Sequence, residues 1–221
     1  MAQQYRRIKR PLIVNATGRG GARVANGHVI MVASAIAGEG KTFTAINLAL
    51  SMSREKDVHV LLVDADVAKA HISRQLGVAG APGLLDVLRD GRVGVESVIL
   101  STDVPNLSVL PAGTHSHETT ELLASVRMEE VMRAIAQHDE RRVALFDSPP
   151  LLLTTESHAI AQVAGQVVLV VRAAGTPQHA VLSALSYLGD HPAVSLVLNQ
   201  STASVPANYY YYGYPEQRPT Q

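Results

Sequence analysis

The chain has 221 residues, 47% hydrophobic and 17% charged, which is an ordinary globular balance with enough apolar material for one sizeable core. The absence of cysteine excludes disulfides, thiolate metal sites and cysteine nucleophiles, and a formal net charge of zero gives no general reason to expect nucleic acid as a partner. No apolar run approaches the roughly 20 residues of a membrane-spanning helix, and segment 11–16 is too short for the apolar core of a secretory signal.

Every charged residue up to Arg23 is cationic: Arg6, Arg7, Lys9, Arg10, Arg19 and Arg23. Such a local excess suits an acidic partner surface, whether a neighbouring subunit, an anionic membrane face or nucleic acid; the plainer reading is a solvated basic arm. Residues 17–27 lack apolar periodicity and read as a flexible connection, so 1–27 is assigned as a basic arm, helical at its start, and a linker. A β-rich apolar run over 28–34 leads through a loop at 35–40 into a helix whose Ala45, Leu48, Ala49 and Met52 share one face. Further apolar runs at 58–63, 143–146, 166–172 and 194–199 read as strands, and 118–138 and 178–188 as helices. This alternation predicts an α/β fold with a doubly wound, mostly parallel sheet covered on both faces, spanning 28–200, with ligands at the carboxyl ends of the strands. Residues 201–221, poor in aliphatic side chains, are expected to form a flexible, disordered tail.

The run Ala35-Ile36-Ala37-Gly38-Glu39-Gly40-Lys41-Thr42 follows a predicted strand and opens a predicted helix, the setting a P-loop requires. Glycines let several N–H groups turn inward, and the helix start favours phosphate. Lys41 would meet the β- and γ-phosphates and Thr42 a Mg²⁺ ion, making ATP and Mg²⁺ the expected ligands. Asp64 and Asp66 directly follow one apolar strand and Asp147 ends another, positions where carboxylates need a neutralising cation. Phosphoryl transfer needs a group to orient or deprotonate the acceptor, and for a tyrosine phenol, with pKa about 10, a nearby carboxylate taking its proton is a sensible arrangement. Asp64 is favoured for that role, with Asp66 and Asp147 organising the metal, although the residue pattern leaves the division among the three open. Five of the seven tyrosines, Tyr209, Tyr210, Tyr211, Tyr212 and Tyr214, crowd near the C-terminus between Pro206 and Pro215, which disfavours a regular central strand and suits a set of phosphoacceptors. His115 and His117 have no further ligands nearby and read as exposed polar residues.

Together these motifs resemble the bacterial tyrosine kinases that regulate polysaccharide export, and the stretches 40–49, 65–69 and 151–156 are similar to their exosortase-associated autokinase branch. The resemblance implies a deviant-Walker ATPase-like domain with Walker motifs at 35–42, 61–66 and 144–147. It further implies ATP contacts from Ala37 through Phe43 and from Asn199, and catalytic roles for Lys41, Asp64, Asp66 and Asp147. Tail phosphorylation in trans within a ring of identical subunits, a membrane-embedded polysaccharide chain-length regulator as activator, an opposing tyrosine phosphatase and a cytoplasmic location at the inner membrane face are implied as well. The family's ring-forming Glu-x-x-Arg-x-x-Arg arm aligns with Gln3, Arg6 and Lys9, which removes one possible inter-subunit ion pair. The competing class is a non-kinase ATPase switch of the division-site-positioning or chromosome-partitioning type. Those proteins commonly carry an extra lysine early in the P-loop, where this chain has Ile36. A third reading is an inactive nucleotide-binding scaffold.

Overall fold

The computed structural model describes residues 2–18, 24–137, 139 and 141–202. The predicted tail beyond 202, including the tyrosine cluster 209–214, lies outside the described residues, as do Arg19 and Arg23. In chain order the elements are α1 (Ala2–Thr17), β1 (Val29–Ser34), α2 (Lys41–Met52), β2 (His59–Asp64), α3 (His71–Gln75), α4 (Leu84–Arg89), a 3₁₀ turn (Val95–Val98), β3 (Leu100–Ser101) and β4 (Leu107–Leu110). There follow α5 (Thr119–Leu123), α6 (Val126–Gln137), β5 (Arg142–Asp147), α7 (Glu156–Val163), β6 (Gln166–Arg172), α8 (Gln178–Leu188) and β7 (Val194–Asn199).

The strands join in the order β3-β4-β2-β5-β1-β6-β7, with every pairing parallel except β3 to β4. β1 and β5 are buried along their whole length, which is why they read as unbroken apolar runs. Alternation divides their side chains between two cores. Val29, Met31 and Ala33 of β1 join the side chains of α4 through α8, while Ile30 and Val32 meet those of α1 and α2. The anticipated face of α2 is buried, Ala45, Leu48, Ala49 and Met52 all being sealed from solvent.

The helix expected over 118–138 is two helices. The chain breaks at Ala124 and Ser125, and the Ser125 hydroxyl accepts the Met128 amide at 3.4 Å, a start signal for α6 inside an otherwise continuous apolar pattern. The short elements α3, α4, β3, β4 and α7 have too few residues for periodicity to declare them.

Tyr5, Leu12 and Ala16 place α1 in the same core as α2. A buried polar clamp completes the seam: the Gln166 side chain donates to the carbonyls of Leu12 (3.0 Å) and Gly27 and accepts from Asn15 Nδ2 at 2.9 Å. Replacing it by a side chain of similar volume leaves those partners unsatisfied, so Gln166→Met is expected to lower stability by roughly 1–3 kcal/mol, read from urea unfolding, and to speed proteolysis within α1.

Candidate functional site

Order reverses at β1, which lies between β5 and β6, so the turn leaving β1 opens at the crevice where ligands of such sheets collect. That turn is the predicted P-loop. Gly38 and Gly40 have φ of 83° and 90°, a region that favours glycine, and Gly40 immediately precedes the first residue of α2. A Cβ on Gly40 would also lie 2.1 Å from Asn199 Nδ2. The loop is held from outside. Glu39, almost fully buried, points away from the cradle: its carboxylate accepts the Ile36 amide at 2.7 Å and the Thr176 hydroxyl, and its carbonyl accepts Asn199 Nδ2 at 2.8 Å. These bonds turn a negative side chain away from the place where phosphates would sit and tie the loop to the ends of β6 and β7.

Asp64 and Asp147 are register partners at the carboxyl ends of neighbouring β2 and β5, and both are fully buried. Asp66 follows two residues later and pairs with Lys41, Nζ to Oδ2 at 2.8 Å, with both side chains out of solvent. Ser73 holds Asp64 Oδ2 through its amide at 2.8 Å and its hydroxyl at 2.7 Å, and Oδ1 has no hydrogen-bond partner among the described residues. Neither oxygen of Asp147 has a partner in good hydrogen-bond geometry among the described residues, although the Thr42 hydroxyl lies near enough to favour the charged carboxylate. Burial pushes the Asp147 carboxyl up to about 7, against the opposing Lys41 charge and Thr42 side chain, with Asp64 and Asp66 adding to the rise. Burial likewise raises Asp64, against its bonds to Ser73, and the charge of Asp66 adds to the rise. The aspartates therefore stand beside the P-loop.

Phe43 is about half exposed on the outer side of the helix start, and Asn199, expected to contact ATP, donates to the Glu39 carbonyl of the loop. Ala37 and Gly38 are exposed on the loop crest. Gln3 and Arg6 are exposed, whereas Lys9 is buried, donating to Ser51 O and pairing with Glu55, both at 2.6 Å, so its charge is engaged within its own chain. His115 and His117 are exposed, and no three histidine, aspartate or glutamate side chains form a metal-holding group among the described residues. Ser73 and Thr176 escaped the sequence reading. Both are lone hydroxyls in unremarkable surroundings, and only the fold brings them to Asp64 and Glu39.

A glycine turn feeding a helix at the carboxyl ends of parallel strands, faced by strand-terminal carboxylates, defines a P-loop nucleotide-binding protein. A family model described as an AAA domain matches residues 27–184. The tyrosine-protein kinase YwqD of Bacillus subtilis is 30% identical over 187 residues, covering 83% of this chain and 77% of that protein. The tyrosine-protein kinase wzc of Salmonella typhimurium is 30% identical over 87% of this chain, but over 26% of its own length. The crystal structure of the VpsO kinase domain superposes with a TM-score of 0.69 at 28% identity, covering 88% of this chain and 98% of that one. The chain belongs to the bacterial tyrosine kinase family, although it spans only about a fifth of the length of several curated relatives. Among the described residues no helix is long and apolar enough to cross a membrane.

Gly40→Ala combines a positive φ with a steric clash, and is expected to weaken binding of a fluorescent nucleotide about tenfold or more while costing roughly 1–2 kcal/mol of stability. Asp147 supplies a pH test. Folding raises its pKa from 3.8 to about 7, so its contribution to stability is complete below the lower value and lost as pH rises through the upper one. Without nucleotide, the parent should lose on the order of 4 kcal/mol more than Asp147→Asn across that window, measured by denaturant unfolding at a series of pH values.

Proposed function

We propose that this chain is an ATP- and Mg²⁺-dependent protein-tyrosine autokinase whose acceptors are Tyr209, Tyr210, Tyr211, Tyr212 and Tyr214. The observation that carries the reading is a set of buried carboxylate oxygens, Asp64 Oδ1 and both of Asp147, without well-aligned hydrogen-bond partners among the described residues and beside a P-loop lysine. Buried carboxylates in that condition call for a cation and a proton donor.

The residues fit Mg²⁺-ATP. The amides around Gly38 to Thr42, with Lys41, would bind phosphate oxygens, and Thr42, Asp66 and Asp147 would hold the ion. Two carboxylates, one hydroxyl and phosphate oxygens suit magnesium, which seldom sits in an all-protein cage. The ion would neutralise charge on the transferring group. Asn199, beside the loop, and Phe43, at the start of α2, would line the base. Asp64 is the proton acceptor: Ser73 fixes one oxygen, leaving Oδ1 for the phenol, and its raised pKa makes it a stronger base than an ordinary carboxylate. Transfer forms a bond from the phenolic oxygen to the γ-phosphorus and breaks the β–γ bridge, while the phenolic proton passes to Asp64 Oδ1.

Ile36 packs against the core, so this position supplies no cation to the phosphates, which favours the kinase over the ATPase switch. Gln3 and Arg6 remain exposed for contacts between subunits, Lys9 being engaged internally. By resemblance to the exosortase-associated branch, the protein works as a homo-oligomer phosphorylating tails in trans at the inner membrane face. A membrane-embedded chain-length regulator is its activator, a tyrosine phosphatase its opponent and exopolysaccharide synthesis or export its output.

Purified protein incubated with Mg²⁺-ATP should acquire phosphate on the tyrosine cluster, read by mass spectrometry of the tail peptide. Lys41→Met and Asp64→Asn should each reduce the rate by about 100-fold or more. ATP hydrolysis without phosphotyrosine would transfer the chain to the switch class.

A further inference from the structure

The positive charge near the N-terminus is not absorbed by the nucleotide site. On α1, Arg6 and Arg10 lie one turn apart, and Arg54 projects just beyond the end of α2, against which α1 packs; all three are exposed and form no ion pair among the described residues. They rim two adjacent grooves. One, of about 370 Å³, has Tyr5 and Leu50 in its wall with Arg6 and Arg54 at its edge. The other, of about 430 Å³, has Ile13 and Val14 in its wall with Arg6 and Arg10 at its edge. Glu55, which borders both, is already paired with Lys9. An apolar wall beside a pair of guanidinium groups suits an aromatic ring bearing a dianion, and arginine is well shaped for phosphate oxygens.

The described chain ends at Thr202, after Gln200 and Ser201 have lined a third groove together with Gln4, Tyr5, Arg7 and Ile8 of α1. Gln200 and Ser201 thus lie alongside the basic helix. Tyr209 follows seven residues later, a reach of about 23–25 Å when extended, whereas the 16-residue α1 is about 24 Å long. Before modification, Glu216 and Arg218 cancel over residues 203–221, and the segment has no charge to offer. Each phosphate adds about −1.5 to −2. For a tether of this length, effective concentrations are on the order of millimolar, so modest contacts suffice.

We propose that the tyrosine cluster, once phosphorylated, docks in cis on Arg6, Arg10 and Arg54 in the grooves beside α1. The inference rests on the tail being the phosphoacceptor. It makes α1 a receptor for the product of the reaction: the phosphorylated tail is stored on its own subunit, and the cationic arm is withdrawn from other acidic surfaces. Charge complementarity, tether length and grooves with apolar walls favour this occupant over a lipid surface, which offers phosphate without an attached ring.

The test uses the full chain with its tail phosphorylated by an added tyrosine kinase of separate origin, so docking is measured whether or not the protein phosphorylates itself. Phosphotyrosine is titrated by ³¹P NMR. Guanidinium groups favour the dianion, so part of the signal in the parent should show a second pKa lowered by about 0.5 unit or more from its free value near 6. The shift should vanish in Arg6→Gln/Arg10→Gln/Arg54→Gln and on raising ionic strength to about 0.5 M, and should not depend on protein concentration. If the triple variant unfolds, the exposed single change Arg54→Gln should remove part of the shift. Identical titrations in parent and variants overturn the proposal. A shift that grows with protein concentration overturns it in favour of a second copy. Loss of binding to phosphatidylserine vesicles in the triple variant, with unchanged ³¹P titration, overturns it in favour of an anionic membrane. A preserved shift in a protein that fails to phosphorylate its own tail sinks the kinase reading and leaves docking standing.

Discussion

Four ionisable side chains meet where β1, β2 and β5 end, and the balance among them governs the rest of the molecule. Asp64, Asp66 and Asp147 bring three carboxylates into a region closed to water, and Lys41 brings one ammonium. Full ionisation would leave two net negative charges in the interior, which a low-dielectric environment tolerates poorly. The protein responds in two ways. Lys41 is committed to Asp66, and Asp147, without a well-aligned hydrogen-bond partner among the described residues, has its pKa raised to about 7 by burial. The site thus gathers more carboxylate than ammonium out of solvent, an imbalance that a magnesium ion held with a nucleotide would offset.

The same balance explains why the loop is braced from behind. In the proposed role Lys41 would exchange its aspartate partner for phosphate oxygens, which requires a backbone that does not move with it. Glu39, engaged by Thr176 and the Ile36 amide, and Asn199, bonded to the Glu39 carbonyl, anchor the turn to the last two strands of the sheet. Asn199 stands directly over Gly40, so the turn tolerates no side chain at that glycine without displacing the brace. The P-loop and the sheet are therefore coupled through a few hydrogen bonds at the carboxyl edge.

On the opposite flank, α1 is part of the folded unit. Its apolar residues enter the core beneath α2, and the Gln166 clamp fixes its exit. Burial of that face turns Arg6 and Arg10 outward, next to Arg54 and near the point where the chain leaves toward its tyrosines. An amphipathic helix with one face committed to the core can present a fixed charge pattern on the other. This geometry is what allows the basic segment to act as a receptor.

The P-loop, the α2 face, the central strands and the three aspartates were legible in the sequence because each is declared by local chemistry: glycines where the backbone must turn positive, helical spacing of small apolar residues, and carboxylates closing buried runs. The break at Ser125 was not legible, since a hydroxyl capping an amide three residues on leaves the apolar spacing intact. Nor were Ser73 behind Asp64 or Thr176 behind Glu39, the latter pair being 137 positions apart. The sequence by itself determined the type of fold and the residues proposed to grip phosphate. Only the tertiary structure decided that Lys9 is engaged internally, that Lys41 is paired with Asp66 and that Asp147 is buried without a well-aligned hydrogen-bond partner among the described residues. Those outcomes depend on which side chains the packed sheet and helices bring within hydrogen-bonding distance, a quantity that neither spacing nor composition contains.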